Sequence, residues 1–473
     1  MDLKRTDFEI MAPVGSYESL AAAIQAGANS VYFGIGKLNM RSHSANNFTV
    51  DDLKNIASIC TENGLKSYLT LNTVMYDTDL DDMRTYVDAA KESGVSAIIA
   101  SDMSVILYAV SIGVEVHLST QLNISNIEAL KFYAQFADVV VLARELNMDQ
   151  VSKIHQQIIA QNVCGPKGDQ LKIEMFCHGA LCMAISGKCY MSLHELNSSA
   201  NRGACFQVCR HSYRLFDDER DIEIKVDDKY LMSPKDLKTI HFLNKLVDSG
   251  VRVFKIEGRA RSAEYVKTVV SCYNEALNSI IDESYSEEKI AIWDEQLKTV
   301  FNRGFWNGYY LGQRLGEWSS VYGSEATERK VYVAKTIRYY SNIGVAEFLQ
   351  ETNAGINKGD KLLIIGPTTG VVELIADKLI PDIPGAEIHE KSQAEKAQGF
   401  VPCGLHGAVK IQQKNTVCAY LQYTAAVRMD QQLHLRACVH MIQGIPEHCR
   451  TILCEYIRVI LKMELHRLSG AAP

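Results

Sequence analysis

The sequence predicts an α/β fold: a TIM-type (β/α)8 barrel followed by a small C-terminal β-barrel domain. Short apolar segments of strand type alternate with helical patterns over the first two thirds of the chain, which is the order of elements in a TIM barrel. Polar residues follow most of these strands, where barrel enzymes carry their active sites. Beyond residue 330, alternating apolar and polar residues between Gly- and Asn-rich turns indicate a small β domain.

Eight segments have the composition of buried strands. They are FEIMAP from residue 8, SVYFGIG from 30, KSYLTLN from 66, SAIIAS from 96, VEVHLST from 114, DVVVLAR from 138, KIEMFCHG from 172 and RVFKIEGR from 252. The segments between them, such as SLAAAIQAGA and DDLKNIASICTENG, carry apolar residues at helical spacing and end near a Gly. An open, doubly wound sheet is the alternative reading of this pattern.

Composition limits the classes of function. The chain has 473 residues, of which 47% are hydrophobic, enough for one large core and a second domain. It contains no run of eighteen apolar residues and no apolar stretch of the secretory type at its N-terminus, so we expect a cytoplasmic protein without a membrane partner. The net charge of -7 argues against a polyanion-binding surface over the whole protein, although a local basic groove is compatible with it.

The ends of the predicted strands supply the candidate site residues. Because the C-terminal strand ends of a TIM barrel form one mouth, we expect the polar side chains there to converge. The candidates for catalysis are Asp102, Glu257 and Arg259, and those for substrate binding are Asn72, Gln121, Arg144, His178 and Arg210. Each of them, taken alone, is also compatible with a turn residue or a helix N-cap.

Four of the thirteen cysteines lie close together in loops: Cys182, Cys189, Cys205 and Cys209. Thiolates are soft ligands that suit zinc or iron-sulfur clusters. Six, fifteen and three residues separate them, unlike the paired C-x-x-C of structural zinc sites, which favours iron-sulfur and leaves zinc as the alternative. Cys177 is a possible competing ligand, but its place at the end of an apolar strand favours burial.

Basic and aromatic residues surround these cysteines: Arg202, Arg210, His211, Tyr213, Arg214, Lys255, Arg259 and Arg261. Such a mixture suits a single-stranded RNA loop, since arginines bind phosphates and rings stack on bases. Salt bridges to the abundant acids are the alternative role for these residues.

Several stretches together resemble the collagenase-like U-32 peptidase family. They are APVGS, FGIGKLNMRS, FCHGALCMAISGKCYMS, NRGACFQVCR, LMSPKDL and FKIEGRARSAEYV, and the resemblance runs from about residue 8 to about residue 395. The family includes proteins for oxygen-independent hydroxylation: of the tRNA wobble uridine to 5-hydroxyuridine, of a ribosomal RNA cytidine and of the ubiquinone ring. The length of this chain is most similar to the tRNA branch, in which the process draws on prephenate.

The resemblance implies a 4Fe-4S cluster bound by Cys182, Cys189, Cys205 and Cys209. Some relatives place a ligand just after the SKDL-like motif, where this chain has Lys238, and this departure favours Cys209 as the fourth ligand. The resemblance also implies tRNA as a partner, a prephenate-derived oxygen donor or cosubstrate, and an electron donor or a partner of the same family.

Our hypothesis from the sequence is an iron-sulfur-dependent RNA hydroxylase. Glu257 or Asp102 would move protons, and Arg259 or Arg210 would hold a phosphate or a carboxylate. A peptidase is the main alternative, although H-E-x-x-H and G-x-S-x-G signatures are missing and Cys177 and His178, as strand neighbours, point to opposite faces. A non-catalytic iron-sulfur scaffold is a third class.

The expected domains are a TIM-type barrel over 1–285 with a cysteine-rich insertion at about 177–215, a connector over 286–329 and a small β-barrel over 330–398. Residues 399–473 lose the rhythm of strands and turns and contain five irregularly spaced cysteines. We interpret them as an atypical tail, either frameshifted or disordered.

Overall fold

The computed structural model describes residues 3–43, 45–224, 232–340, 345–376, 400–402 and 416–422. In its first two thirds the chain forms a barrel of parallel strands surrounded by helices. The strands of this part are β1 (Glu9–Pro13), β2 (Ser30–Phe33), β3 (Lys66–Leu71), β4 (Ala97–Ala100), β5 (Val116–Leu118), β6 (Val139–Val141), β7 (Lys172–Gly179), β8 (Leu215–Asp217), β9 (Ile222–Ile224), β10 (Asp236–Lys238), β11 (Val251–Ile256) and β12 (Phe305–Trp306).

Eight of these described strands close the barrel. Strands β1 to β7 pair in sequence order, all parallel, and β11 pairs in parallel with both β7 and β1. This closure confirms the predicted TIM-type barrel and excludes the open doubly wound sheet. Seven of these strands lie within the segments that the sequence predicts, and β11 begins one residue before its segment, at Val251.

Helices follow the strands and cover the barrel. Those in the described residues are α1 (Tyr17–Gln25), α2 (Asp52–Glu62), α3 (Leu80–Glu92), α4 (Met103–Ser111), α5 (Ile127–Ala134), α6 (Met148–Ala160), α7 (Met191–Leu196), α8 (Leu243–Asp248), α9 (Ala263–Ile281) and α10 (Glu287–Thr299). Side-chain caps fix several starts: the Ser16 hydroxyl accepts from the Ser19 amide and Asn147 from the Gln150 amide. None of these helices is long and apolar enough to cross a membrane.

The barrel interior is a packed core. A separate apolar cluster fills it, with one or two side chains from most of its strands: Met11, Tyr32, Tyr68, Ala97, Ile99, Val139 and Val253. The outer faces of the strands pack on the helices in a second, larger core. The interior is therefore closed below its mouth, and open space is left only where the strands end.

The chain between β7 and β10 forms the cysteine-rich insertion. Its described part contains α7, single 3-10 turns at Ala200–Arg202 and Val208–Arg210, and the β8–β9 hairpin. It returns through β10, which pairs antiparallel with the last residues of β7 and parallel with β12. Because the insertion starts and ends beside the end of β7, its loops lie over the barrel mouth.

A second, antiparallel sheet follows the barrel. Its strands are β13 (Glu328–Tyr340), β14 (Val345–Gln350), β15 (Lys361–Gly366), β16 (Gly370–Ile375), β17 (Phe400–Pro402) and β18 (Thr416–Gln422), in the order β16-β15-β18-β13-β14-β17. The GPTTG segment forms the turn that joins β15 to β16, with Gly366 opposite Gly370. Among the described residues no pairing of β16 with β17 closes this sheet into the barrel that the sequence predicts.

Strands β17 and β18 lie beyond residue 399, in the segment expected to be the tail. β17 pairs with β14, and β18 pairs with β13 and β15. One of the five tail cysteines, Cys418, lies in β18. The other four, and residues 423–473, lie outside the described residues.

The second sheet packs on α1 and α9 of the barrel. Gln25, at the end of α1, donates to the carbonyl of Thr369 at 2.7 Å and accepts from the amide of Val371 at 2.9 Å. Lys330 forms an ion pair of 2.7 Å with Glu264 on α9. Since α1 starts at the barrel mouth, its end at Gln25 lies on the opposite side, so the β15–β16 turn contacts the barrel away from the mouth.

Candidate active site at the barrel mouth

One cavity of about 220 Å3 joins the barrel mouth to the cysteine loops. Its floor consists of residues at the strand ends and its roof of residues from the insertion. The predicted site residues that line it are Asn72, Gln121, Arg144, Cys182, Cys189, Cys205, Cys209, Arg210, Glu257 and Arg259. Asp102 and His178 are the two predicted residues outside its walls.

The four cysteines reach the cavity from different parts of the insertion. Cys182 follows β7 and Cys189 precedes α7. Cys205 lies before the 3-10 turn Val208–Arg210, and Cys209 lies within it. Cys182 is exposed, the other three are half-buried, and all four are free thiols. The insertion therefore brings four thiols from 28 residues of sequence, 182–209, to one cavity.

The thiols influence one another. Burial raises the pKa of Cys209 to about 11, the Arg210 charge opposes this, and Cys182, Cys205 and Cys189 add to the rise. Burial is also the largest cause of the raised pKa of Cys189, and Cys182 and Cys205 add to it. Cys189 and Cys209 are therefore neutral thiols at neutral pH, and a bound metal would replace their protons.

The four thiols at this cavity are soft donors of the kind that a metal cluster takes. In the part of the chain that the structure describes, no three His, Cys, Asp or Glu side chains are grouped so as to hold one metal ion. A 4Fe-4S cluster takes each of four thiolates at a different iron, so its ligands do not meet at one point. Cys182, Cys189, Cys205 and Cys209 have the number and chemistry that such a cluster requires.

Glu257, just after β11, is the acidic residue among those lining the cavity. Its Oε1 accepts a hydrogen bond of 2.7 Å from Nη2 of Arg41, in the loop after β2. The Tyr32 hydroxyl lies 3.2 Å from its Oε2 and 2.8 Å from the Ile256 carbonyl. The carboxylate is therefore held by groups from two other parts of the barrel mouth.

These contacts determine the charge of Glu257. Burial alone would raise its pKa, but the charges of Arg41, Arg144 and Arg259, with the Arg41 hydrogen bond, outweigh burial and hold the pKa at about 2. Glu257 is then an anion at neutral pH and has no proton to donate. Its position supports a role in orienting cations more than the predicted role in moving protons.

Arg259 and Arg144 line the cavity and make no ion pair with an acid among the described residues. Arg259 is buried and donates from Nη1 to the Thr70 hydroxyl at 2.8 Å. Burial lowers its pKa to about 10, so it remains a cation at neutral pH. Arg144 lies 3.7 Å above the centre of the Phe176 ring, and its buried Nε has no hydrogen-bond partner. Both can therefore bind an anion from the cavity.

Amide and hydroxyl groups form one side of the cavity. The Asn72 amide donates to the Ser119 hydroxyl at 3.3 Å, and Ser119 donates in turn to the side-chain oxygen of Gln121. The Asn72 oxygen accepts from the Met40 amide at 3.2 Å. Because these groups fix one another, they present a pre-oriented polar surface to any ligand in the cavity.

Arg210 connects loops rather than facing an open anion site. Its guanidinium donates to the carbonyls of Leu181 and Pro234, each at 2.7 Å, and to the Ser233 hydroxyl at 3.0 Å. Burial lowers its pKa to about 10, and the nearby charge of Arg303 adds to this. The residue thereby holds the segment after β7 against the segment before β10.

Asp102 lies outside the cavity, which corrects its predicted place at the mouth. Its Oδ1 caps α4 by accepting from the Ser104 amide at 2.9 Å, and its Oδ2 accepts from the Met75 amide at 2.9 Å. Both carboxylate oxygens are thus used by the backbone. This is the N-cap role that the sequence leaves open as the alternative.

His178 is also displaced from the mouth, and its predicted contact with substrate has no support in its position. The ring is buried, with Nδ1 3.4 Å from the Tyr273 hydroxyl and the rings of Tyr265 and Phe305 packed around it. Burial, helped by the charge of Lys238, lowers its pKa to about 3. His178 is therefore a neutral core residue.

Tyr32 and Arg41 line the cavity but were not among the residues that the sequence analysis singled out. Arg41 lies in the FGIGKLNMRS stretch that carries part of the family resemblance, but nothing in its spacing connects it to Glu257. Lys255, one of the basic residues expected around the cysteines, lines the cavity and pairs with Glu174 at 2.7 Å inside the barrel.

Comparison with known proteins assigns the chain to a family. A model of the peptidase family U32 matches residues 15–320. This range includes all four cysteines and every barrel strand except β1. The chain belongs to the U32 peptidase family.

Three relatives show the range of names within the U32 family. A protein named collagenase, from Porphyromonas gingivalis, is 62% identical over 82% of this chain and 93% of its own length. The tRNA hydroxylation protein P1 of Bacillus subtilis is 31% identical over 78% of this chain and 87% of its own length. The 23S rRNA 5-hydroxycytidine C2501 synthase of Escherichia coli is 32% identical over 81% of this chain and 57% of its own length.

A U32 peptidase with a cysteine nucleophile would need a thiol and a histidine in reach of one another and of substrate. Cys177 is fully buried, contacts the Lys255 carbonyl at 3.5 Å, and has a pKa raised well above its usual value by burial. Its neighbour His178 is buried as well. No histidine is among the described residues that line the cavity.

Proposed function

We propose that the protein hydroxylates RNA without molecular oxygen, converting a tRNA wobble uridine to 5-hydroxyuridine with a 4Fe-4S cluster at the barrel mouth. One observation carries the proposal: four thiols and a group of arginines line the same cavity at the C-terminal ends of the barrel strands. The names of the 31% and 32% identical relatives, which refer to hydroxylation of tRNA and to a hydroxylated cytidine of ribosomal RNA, support it.

Cys182, Cys189, Cys205 and Cys209 would hold the cluster. When bound, it would supply electron transfer or Lewis-acid activation of an oxygen. The raised pKa values of Cys189 and Cys209 argue against nucleophilic thiols, since a nucleophilic thiol needs a lowered pKa.

Arg144 and Arg259 would bind the anionic groups of the reactants. Both are cations, both line the cavity, and neither is neutralised by an acid among the described residues. A guanidinium binds a carboxylate or a phosphate with two parallel hydrogen bonds. A prephenate-derived oxygen donor, which carries carboxylates, would therefore suit this side of the cavity.

Asn72 and Gln121 would orient the reacting base. Their amide groups match the carbonyl and N–H groups on the edge of a uracil, and Ser119 fixes them relative to one another. Glu257 would hold Arg41 in place next to the base and the thiols. The reaction would take place in the cytoplasm with an electron donor or a partner of the same family.

A peptidase is the second candidate, because the 62% identical relative is named a collagenase. The described cavity walls offer no histidine to activate a thiol or hydroxyl, and the thiol pKa values are raised rather than lowered. Hydroxylation of ribosomal RNA or of a quinone precursor would use the same cavity with another substrate.

Mass spectrometry of nucleosides in RNA from cells with and without this gene tests the proposal. We expect 5-hydroxyuridine or its derivatives to disappear from tRNA when the gene is removed. Unchanged tRNA nucleosides, together with cleavage of gelatin by the anaerobically purified protein, would instead establish the peptidase.

A further inference from the structure

Arg202 joins the cysteine-rich insertion to the barrel. It lies in the 3-10 turn that precedes Cys205. Its Nη2 donates to Oδ1 of Asp79 at 3.2 Å, and its Nη1 donates to Oδ2 of the same carboxylate and, at 2.8 Å, to the Val74 carbonyl. The guanidinium also lies 4.0 Å from the centre of the Tyr76 ring. One side chain therefore contacts three residues of a single loop.

The contacted loop, between β3 and α3, also carries Asn72 of the cavity. The Val74 amide donates to the Asn201 carbonyl at 3.0 Å, so the backbone as well as a side chain joins this loop to the turn. Asp79 is 3% exposed, and its Oδ2 accepts a further hydrogen bond of 2.9 Å from the Tyr76 amide. This carboxylate is therefore held by its own loop and gives the turn a fixed acceptor.

The residue after Arg202 packs against a second loop of the barrel mouth. Gly203 has a left-handed conformation with φ of 82°, and its carbonyl accepts from the His43 amide and from the Ser42 hydroxyl, each at 3.3 Å. A Cβ at this position would lie 2.2 Å from the Ser42 hydroxyl and 2.4 Å from the Asn39 carbonyl oxygen, so this close approach requires a glycine. The turn is therefore held between the loops that follow β2 and β3.

Cys205 comes two residues after this turn ends and is half-buried in the cavity wall. The Ala204 amide donates to the Ser199 carbonyl at 3.1 Å, so the chain is fixed up to the residue before the thiol. The pKa of Arg41 is raised chiefly by the charge of Glu257, and Cys205 adds to the rise. The thiol therefore lies within electrostatic range of the ion pair at the barrel mouth.

We propose that Arg202 is a positioning residue for Cys205, which it places over the barrel mouth by holding the preceding turn on the loop that carries Asn72. The inference rests on the proposed cluster and extends it, because Arg202 is not among the residues that line the cavity. Groups that orient metal ligands without touching the metal change metal affinity by roughly 10- to 100-fold when they are replaced.

A general contribution to folding is the alternative role for Arg202. An ion pair that serves only stability would alter unfolding, but it would leave the relative reactivity of the thiols in the folded protein unchanged. The position of Arg202 next to the turn that leads into Cys205, and far in sequence from Cys182, predicts a selective effect on Cys205 instead.

Arg202→Lys tests the proposal, because lysine keeps the charge but cannot make two parallel hydrogen bonds and stack on a ring. The full chain is reconstituted anaerobically with iron and sulfide, and a chelator then competes for the iron. We expect the variant to bind iron roughly 10- to 100-fold more weakly than the wild type. Asp79→Asn should act in the same direction, and the double variant should lose little more than either single variant, since both side chains act through one contact.

Alkylation of the folded, metal-free protein by N-ethylmaleimide gives a readout that does not depend on the cluster. Peptide mass spectrometry measures the rate at each cysteine. In Arg202→Lys the rate at Cys205 should rise by at least about twofold, the lower end of the effect of one lost hydrogen bond. The rates at Cys182 and at Cys164, which lies outside the cavity, should not change.

Arg220→Lys is the matched control, since Arg220 lies in the β8–β9 hairpin of the same insertion and forms an exposed pair of 3.7 Å with Asp217. It should leave iron binding and alkylation unchanged. If Arg202→Lys fails to fold, Tyr76→Ala replaces it, because it removes the ring beneath the guanidinium and leaves the ion pair. Its iron binding should be weaker than that of the wild type by roughly two- to fivefold.

The outcomes separate this inference from the proposed function. If Arg202→Lys binds iron as the wild type does and Cys205 reacts at the wild-type rate, Arg202 does not position the thiol, although the cluster stands. Equal acceleration at Cys182, Cys164 and Cys205 would also overturn the inference, because it would show a general loosening of the fold. If the wild type takes up no iron, the proposed cluster fails, and selective alkylation of Cys205 alone decides the role of Arg202.

Discussion

Arg41 and Glu257 form a hydrogen-bonded ion pair of 2.7 Å across the barrel mouth. The pair connects the loop after β2 to the end of β11, two segments that are 216 residues apart. Both side chains are largely buried, so the attraction is stronger than that of a surface pair. It fixes the charge of the carboxylate and the position of the loop with one contact.

Replacing Glu257 by Gln should lower the free energy of unfolding by roughly 1–3 kcal/mol at pH 7, between the values for exposed and buried pairs. The pKa of Glu257 is lowered to about 2 in the folded protein, so its stabilisation is complete above the unfolded value, about 4.3, and is lost as the pH falls toward 2. Urea denaturation at several pH values measures this. The difference between wild type and variant should shrink below pH 4.

Glu92→Gln is the control for this experiment, because Glu92 is exposed at the end of α3. Its stability should follow that of the wild type at every pH. A Glu257→Gln variant as stable as the wild type at pH 7 would contradict the ion pair described above.

The barrel strands could be predicted because each buried strand is a short apolar segment with polar or glycine boundaries. The order of strands also placed most site residues at the mouth.

The direction in which each side chain points could not be predicted, and His178 shows why. Phe176 lines the cavity, and strict alternation on β7 would place His178 on the same side. A register shift between β7 and β11, which leaves Cys177 unmatched, breaks that alternation and turns His178 into the core.

Contacts between distant loops could not be predicted from the sequence either. Arg41 lies in a loop whose path depends on packing against the insertion. The Arg41 amide donates to the Asn39 side chain, and the Met40 amide donates to the Asn72 side chain. No local pattern reports such a contact. The four cysteines could be identified as candidates because their residue type and clustering in the sequence indicate metal binding, whatever the orientation of each side chain.

Cys189→Ala should remove the cluster and RNA hydroxylation together, because three remaining thiolates leave one iron without its protein ligand. Iron and sulfide content after anaerobic reconstitution measures the first effect, and nucleoside mass spectrometry the second. Cys164→Ala is the matched control, since Cys164 is a half-buried free thiol in the turn after α6, outside the cavity. It should retain both iron and activity. Normal hydroxylation by an iron-free Cys189→Ala protein would overturn the proposed role of the cluster.

Replacing His178 by Phe should change how stability depends on pH. The folded pKa of His178 is about 3, so between the unfolded value of about 6.5 and pH 3 only the unfolded chain takes up a proton at this residue. Wild-type stability should therefore decrease as the pH falls through this window, by up to about 1.4 kcal/mol per pH unit from His178. The Phe variant should lack that part of the decrease.

Thermal or urea unfolding from pH 7 to pH 4 compares the two proteins. His43→Gln, at an exposed position, is the control and should keep the wild-type dependence. Parallel curves for wild type and His178→Phe would show that protonation of His178 does not contribute to the pH dependence of the free energy of unfolding.

Lys255 and Glu174 form a pair of 2.7 Å inside the barrel, and Glu174 is fully buried with its Oε2 unpartnered. Lys255→Met should therefore destabilise the protein by about 3–5 kcal/mol, since it leaves a buried carboxylate without its cation. Adding Glu174→Leu should recover at least half of this loss, because an apolar pair of similar volume avoids the desolvation of two charges.

The double variant also separates structure from chemistry at this position. Lys255 lines the cavity, with its Nζ 4.8 Å from the centre of the Tyr32 ring, whereas Glu174 is not among the residues lining the cavity. If Lys255 contacts the reactants, the double variant will be folded and iron-loaded yet inactive; if the pair serves stability alone, it will hydroxylate RNA at the wild-type rate. A double variant no more stable than Lys255→Met would show that the cost lies in lost packing rather than in the unpaired charge of Glu174.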